Sequence, residues 1–176
     1  MRFLLLIVAV LQTASTTPPA AAPAPVTVRG DRFQIAVPQG WKVLTSDADV
    51  ILAHTSGASL LIVRVEAAKN LSEYAQQQAE RIMSPLGFAK LSDPRNYKDA
   101  HDEWVEYEIR GTRQADHRRI LYRALHRGTA FYGVVYEAGE DQYEALLTDA
   151  QSIAESVQNL IQSPPARRPV TRRAKK

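Results

Sequence analysis

Residues 33–41 read Phe33-Gln34-Ile35-Ala36-Val37-Pro38-Gln39-Gly40-Trp41, and this stretch decides the fold. Phe33, Ile35 and Val37 alternate with small or polar residues, the period of a strand with one buried face. Pro38 and Gly40 then stop the strand, because proline fixes φ and lacks an N–H while glycine admits left-handed backbone. Trp41 opens a second strand with a large aromatic. The stretch predicts strand, tight turn and strand, and it marks where the folded domain begins.

On its N-terminal side, residues 1–16 read MRFLLLIVAVLQTAST. Arg2 is followed by nine unbroken apolar residues, Phe3 to Leu11, and then by small residues, the layout of a secretory signal peptide. A membrane span needs ~20 apolar residues, so the chain is not expected to be an integral membrane protein. Residues 17–25 are rich in proline and alanine and read as an extended linker. The expected address is therefore exported, periplasmic or extracellular. The chain has no cysteine, which excludes disulfides, zinc–thiolate sites, cysteine nucleophiles and a cysteine-linked lipid anchor.

At the other end, residues 164–176 carry Arg167, Arg168, Arg172, Arg173, Lys175 and Lys176 and no acid. The formal charge is +3, but taking those six from the 22 basic residues leaves 16 against 19 acidic ones, a net −3. The basic pI belongs to the tail, so no nucleic-acid-binding domain follows from it. Six cations and three prolines in thirteen residues cannot build a core, and the tail is expected to be disordered and sticky toward anionic lipid, nucleic acid or acidic polymers, with a solubilising tail that has no partner as the competing reading.

Between these ends the periodicity divides the chain into strands and helices. Val26–Val28, Arg32–Val37, Trp41–Thr45, Val50–His54 and Ser59–Ala67 read as strands, the last apolar at both parities and so expected to be covered on both faces. Leu71 to Leu86 reads as a helix with its stripe at Leu71, Tyr74, Ala75, Ala79, Ile82 and Leu86; Asn70 caps it and Pro85 and Gly87 end it. Phe88–Leu91 reads as a short strand and Asp93-Pro94-Arg95-Asn96 as a turn. Trp104–Thr112, His117–Arg127 and Ala130–Glu137 read as a meander. A two-residue turn at Ala115-Asp116 pairs Ile109 with Tyr122, Tyr107 with Ala124, Glu108 with Arg123 and Trp104 with Arg127. Glu140 to Gln162 reads as the last helix, with acids at its start and Ser163-Pro164-Pro165 as its stop. Strands, helix, strands and helix imply an α+β fold: a largely antiparallel β-sheet flanked by helices, an α/β/α sandwich.

The Phe33-x-Ile-x-Val-Pro-x-Gly-Trp41 opening, the helix holding Leu71-x-x-Tyr74, the later hairpins and the terminal helix together resemble the PsbP/DcrB-like family, whose fold is shared with the Ran-binding protein Mog. The resemblance covers residues 26–163. It implies a PsbP-like sheet between helices, export of bacterial members, and binding or assembly rather than catalysis. It assigns no catalytic residue, and the basic tail departs from it.

The chain shows no G-x-S-x-G, phosphate-binding loop, H-E-x-x-H or dinucleotide fingerprint. His54, His101, His117 and His126 are scattered; His117 and His126 lie nine positions apart on one strand and so face opposite sides. Asp99, His101, Asp102 and Glu103 form the one dense set of potential metal ligands, with a solvated loop as the competing reading. Arg110, Arg113, Arg118, Arg119, Arg123 and Arg127 crowd one hairpin, where Glu103, Glu106 and Glu108 are expected to neutralise them in solvated cross-strand pairs. The aromatics Tyr107, Tyr122, Phe131, Tyr132 and Tyr136 are expected to fill the core rather than stack bases. The sequence thus predicts a non-enzymatic, cofactor-free binding or assembly module of the cell envelope with a protein or small-ligand partner and no specific nucleic acid. The alternatives are a surface protein acting through its basic tail and a metal-dependent enzyme using Asp99–Glu103.

Overall fold

The computed structural model describes residues 24–30, 32–47, 49–65 and 70–160. The expected signal segment 1–16, most of the expected linker 17–25 and the tail 164–176 lie outside the described residues. Two helices and eleven strands are present among them: β1 (Val26–Arg29), β2 (Phe33–Val37), β3 (Trp41–Thr45), β4 (Val50–His54), β5 (Ser59–Val65), α1 (Leu71–Met83), β6 (Gly87–Leu91), β7 (Arg95–Lys98), β8 (Asp102–Arg113), β9 (Asp116–Arg127), β10 (Ala130–Gly139), α2 (Glu140–Glu155) and β11 (Gln158–Asn159). None of the described helices is long and apolar enough to cross a membrane.

The strands form two antiparallel sheets. The large one has the order β3-β4-β5-β10-β9-β8-β6, with β7 also on β8; the small one has the order β1-β2-β11. The opening stretch is therefore not a hairpin. Both edges of β2 are taken, one by β1 and the other by β11, so the chain after Val37 cannot fold back on it. Pro38-Gln39-Gly40 carries the chain from the small sheet to the edge of the large one instead. Gly40 has φ +94°, a conformation side chains resist, and a Cβ there would stand 2.8 Å from His54 Nε2.

The period of two sends alternate residues to opposite faces, and each face meets a helix. Val105, Tyr107 and Ile109 of β8 and Ile120, Tyr122 and Ala124 of β9 pack with Leu71, Ala75 and Ala79 of α1. On the other face, Leu121, Leu125, Tyr132, Val134 and Tyr136 pack with Tyr143, Ala150, Ile153 and Ala154 of α2, and Phe33, Ile35 and Val37 of β2 join them. This is the expected α+β arrangement, helix on sheet on helix, with the small sheet beside α2. In β5 only Leu60 and Ile62 are buried; Leu61 and Val63 are half-buried, because α1 sits over β6, β8 and β9 rather than over β5.

Three local expectations change. The β8–β9 turn falls at Gln114-Ala115, both with positive φ (52° and 72°), the backbone of a tight hairpin turn whose twist suits the strands. The register is thus two residues away from the predicted one: Tyr107 faces Tyr122, Ile109 faces Ile120 and Glu106, not Glu108, faces Arg123. A shift of two leaves every side chain on its predicted face. Arg95-Asn96 is strand rather than turn, since Arg95–Lys98 pairs with Glu103–Glu106. Finally, α2 stops at Glu155, not Gln162. The Ser156 hydroxyl accepts the Ala36 N–H at 2.8 Å and donates to the Ile153 carbonyl at 2.7 Å, and Gln158 and Asn159 then pair with β2. The start of α1 is as predicted: Asn70 Oδ1 accepts the Glu73 N–H at 3.2 Å.

Candidate functional site

Charge is concentrated on the α2-facing side of β8 and β9. The odd positions of β9 carry Arg119, Arg123 and Arg127, and the even positions of β8 carry Asp102, Trp104, Glu106 and Glu108, so the pleat aims both sets the same way. Arg123 gives Nε and Nη2 to Glu106 Oε2 at 2.8 and 2.6 Å, with the two side chains 7% and 2% exposed. Arg95 of β7 holds the other Glu106 oxygen. Arg119 donates to Glu108 at 3.0 Å and to Glu144 of α2 at 2.8 Å, and its guanidinium lies 3.9 Å from the centre of the Tyr143 ring. Arg127 grips Asp102 with two nitrogens and caps α2 by donating to the Glu155 and Val157 carbonyls at 2.6 and 2.7 Å. Arg113 and Arg118 share Glu137.

The expected cross-strand pairing is present, but the Arg123–Glu106 pair is not solvated, and the Arg119 guanidinium is buried while its partner Glu144 on α2 stays exposed. Burial acts to raise the Glu108 carboxyl, but the guanidiniums of Arg110 and Arg119 outweigh it and hold Glu108 below the ordinary glutamate value. Burial also raises the Tyr143 hydroxyl and pushes Tyr136 up to about 12. Tyr136 donates to the Tyr143 carbonyl at 2.8 Å. The Tyr143 hydroxyl and Arg119 Nε are buried with no hydrogen-bond partner.

The ladder has an open rim on β7. Tyr97 stacks on Trp104 (centroids 5.4 Å apart, planes within 17°), and the Arg123 guanidinium lies 4.5 Å from the centre of the Trp104 ring. Arginine, tryptophan and tyrosine thus form one stack running from the interior to solvent, and Tyr97 is 46% exposed at its end. Sequence reasoning missed Arg95 and Tyr97 because Pro94 invited a turn. The alternation Arg95-x-Tyr97, set against Glu106 and Trp104, was the available signal.

Asp99, His101, Asp102 and Glu103 lie together along a pocket of about 570 Å³, with Lys98, His126 and Arg127. They do not converge on a metal, and no group of three such side chains among the described residues does. Asp99 Oδ1 accepts the N–H groups of His101 and Asp102, both at 2.7 Å, which holds its carboxyl below the usual range. Asp102 is held by Arg127 and Glu103 by Lys98 at 3.1 Å. The cluster is a loop lock whose carboxylates are already engaged. His126 stacks on Phe131 at 4.2 Å and His54 Nδ1 lies 2.9 Å from Ser56 Oγ. The tail cations Arg167, Arg168, Arg172, Arg173, Lys175 and Lys176 lie outside the described residues.

No protein-family model matches the chain, and no curated protein matches it. Solved structures do. The cyanobacterial PsbP (CyanoP) of Synechocystis is similar over 84% of this chain and 98% of its own, with a TM-score of 0.57 at 14% identity. The Ran-binding protein Mog1p of Saccharomyces cerevisiae covers 73% and 90%, with a TM-score of 0.54 at 9% identity. LpqN of Mycobacterium tuberculosis, involved in cell envelope biogenesis, covers 72% and 82%, with a TM-score of 0.53 at 12% identity. The chain has a PsbP-like fold, shared with Mog1p, and at these identities the likeness speaks of the fold alone.

Proposed function

We propose that this chain is an exported envelope module that binds a protein partner through the β7 rim and does no chemistry of its own. The observation that carries the reading is the stack of Arg123, Trp104 and Tyr97, ending in a half-exposed ring beside the exposed Arg95. A rigid aromatic with an arginine next to it is the composition of an interface anchor. The ladder beneath supports the same reading. Its carboxylates are locked by guanidiniums, which suits holding a surface in shape rather than moving protons. The signal segment gives the address, and LpqN, which has the same fold, is involved in envelope biogenesis.

The test places a photo-crosslinking residue at Tyr97 or, as a control on the far edge of the sheet, at Val43, in cells producing the full chain. A discrete adduct in the envelope fraction is expected from position 97 alone, and Arg95→Glu removes it. Identical adducts from both positions, no adduct, or a chain retained in the cytosol overturns the proposal.

A further inference from the structure

The large sheet ends on one side in β3 and on the other in β6 and β7, which share the outer edge of β8. An open edge invites another strand, and a bulge is one way of turning it away. The register shifts in β3 between Val43 and Thr45 and in β6 between Gly87 and Lys90, but in β7 it runs unbroken. All four β7 residues are exposed, and no described strand pairs with the outer side of β7. Asp99 donates its N–H to the Asp102 carbonyl at 2.9 Å, and the same register sets Tyr97 against Trp104 and Arg95 against Glu106. Main-chain bonds fall on alternate pairs of an antiparallel ladder, so Arg95 and Tyr97 bond to β8 while Asn96 and Lys98 turn both N–H and C=O outward. β7 thus presents four main-chain groups in line to a further strand.

Charge says which strand fits. Glu106 is held by two guanidiniums, those of Arg123 and Arg95, which leaves one positive charge in excess at Arg95, whose side chain is 59% exposed. Asp99 accepts the N–H groups of His101 and Asp102 and, at 2.9 Å, the Tyr97 hydroxyl, but no lysine or arginine pairs with it among the described residues. The excess cation and the unanswered carboxylate therefore stand two residues either side of Tyr97, at positions that share its face of the strand. A second β7 laid antiparallel about Tyr97 sets Arg95 of each copy opposite Asp99 of the other and the two Tyr97 rings side by side. It also sets Asn96 opposite Lys98, where the outward groups exchange main-chain bonds. The neighbouring register, about Asn96, would set Lys98 against Pro94, which has no N–H to give. We propose that the β7 rim pairs with the β7 rim of a second copy of this chain, joining two large sheets edge to edge about a twofold axis at Tyr97. The proposal rests on the reading of β7 as the binding rim and names the partner.

Two measurements on the full chain test it. In the first, the photo-crosslinking residue at Tyr97 is expected to give an adduct of two copies. An adduct with a different protein overturns self-pairing and leaves the binding rim standing; no adduct overturns both. In the second, self-association of the purified chain is followed by sedimentation. Arg95→Glu and Asp99→Arg each set like charges opposite one another and are expected to weaken it by about tenfold or more. Mixing the two variants sets opposite charges together at both ends and restores it to within about threefold of the wild type. Asn96→Pro removes an outward N–H and leaves the bonds to β8 in place; it is expected to weaken association by about tenfold with an unchanged melting temperature. Should Asp99→Arg disturb its own loop, Asn96→Pro decides alone. A wild type that stays monomeric, a mixture of folded variants no tighter than either alone, or an Asn96→Pro chain that associates like the wild type overturns the proposal.

Discussion

Arg123 and Glu106 stand directly opposite on β9 and β8, joined by contacts of 2.8 and 2.6 Å in the interior of a sheet face. The pair sits between the Trp104 ring and Arg95, so it ties the core to the β7 rim. A buried pair of this kind gives little net stability, but losing one partner strands the other charge.

Glu106→Ala is expected to cost roughly 3–5 kcal/mol, because Arg123 is left buried and only Arg95 is released to solvent. Replacing both partners with apolar residues, as in Glu106→Leu with Arg123→Met, recovers most of that loss. Urea unfolding of the single and double variants measures both. A single variant as stable as the wild type would show that the pair is not desolvated as described.

Gly40→Ala is expected to destabilise the chain by about 1–2 kcal/mol, the cost of left-handed backbone for a residue with a Cβ. Part of the loss has a second source, since the new Cβ would press on His54 Nε2 at 2.8 Å. In a His54→Ala background the same substitution therefore costs less. A double-mutant cycle in denaturant separates the two contributions; purely additive effects would remove the steric one.

Acid is expected to loosen the ladder through Glu108. Its folded value lies below the ordinary 4.5, so its stabilising contribution is present above that pH and is lost as pH falls through the lower folded value. Glu108→Gln lacks this titration, and its urea midpoint falls less steeply than that of the wild type between pH 5 and about pH 3. Parallel acid curves for the two proteins would exclude the Arg110 and Arg119 pairing as the cause.

Much of the fold was legible because it rests on local periodicity. The alternation at Phe33, Ile35 and Val37 named a buried strand face, and all three side chains are buried. The stripe from Leu71 to Ile82 named the face of α1, and Asn70 its cap, but the helix ends at Met83, three residues before the predicted Leu86. The register of β8 against β9 was not legible, because it depends on which two residues take left-handed backbone, and Gln114-Ala115 carries no glycine to announce it. The candidate site was half legible. The arginines of β9 stood out by composition, but their burial depends on α2 and β7, which come from distant parts of the chain. The Asp99–Glu103 cluster was misleading for a related reason: its density came from a turn that hydrogen-bonds to itself.

The sequence by itself determined which residues face inward and that the strands and helices form an α+β sandwich, because periods of two and of three to four are properties of the backbone. Only the tertiary structure decided that Phe33–Val37 and Trp41–Thr45 part company into two sheets. The residues that claim both edges of β2, Val26–Arg29 on one side and Gln158–Asn159 on the other, converge there only after the whole chain has folded. It also decided that α2 ends at Glu155, since the hydrogen bonds of Ser156 to β2 and of Arg127 to the last carbonyls reach across more than any local window spans.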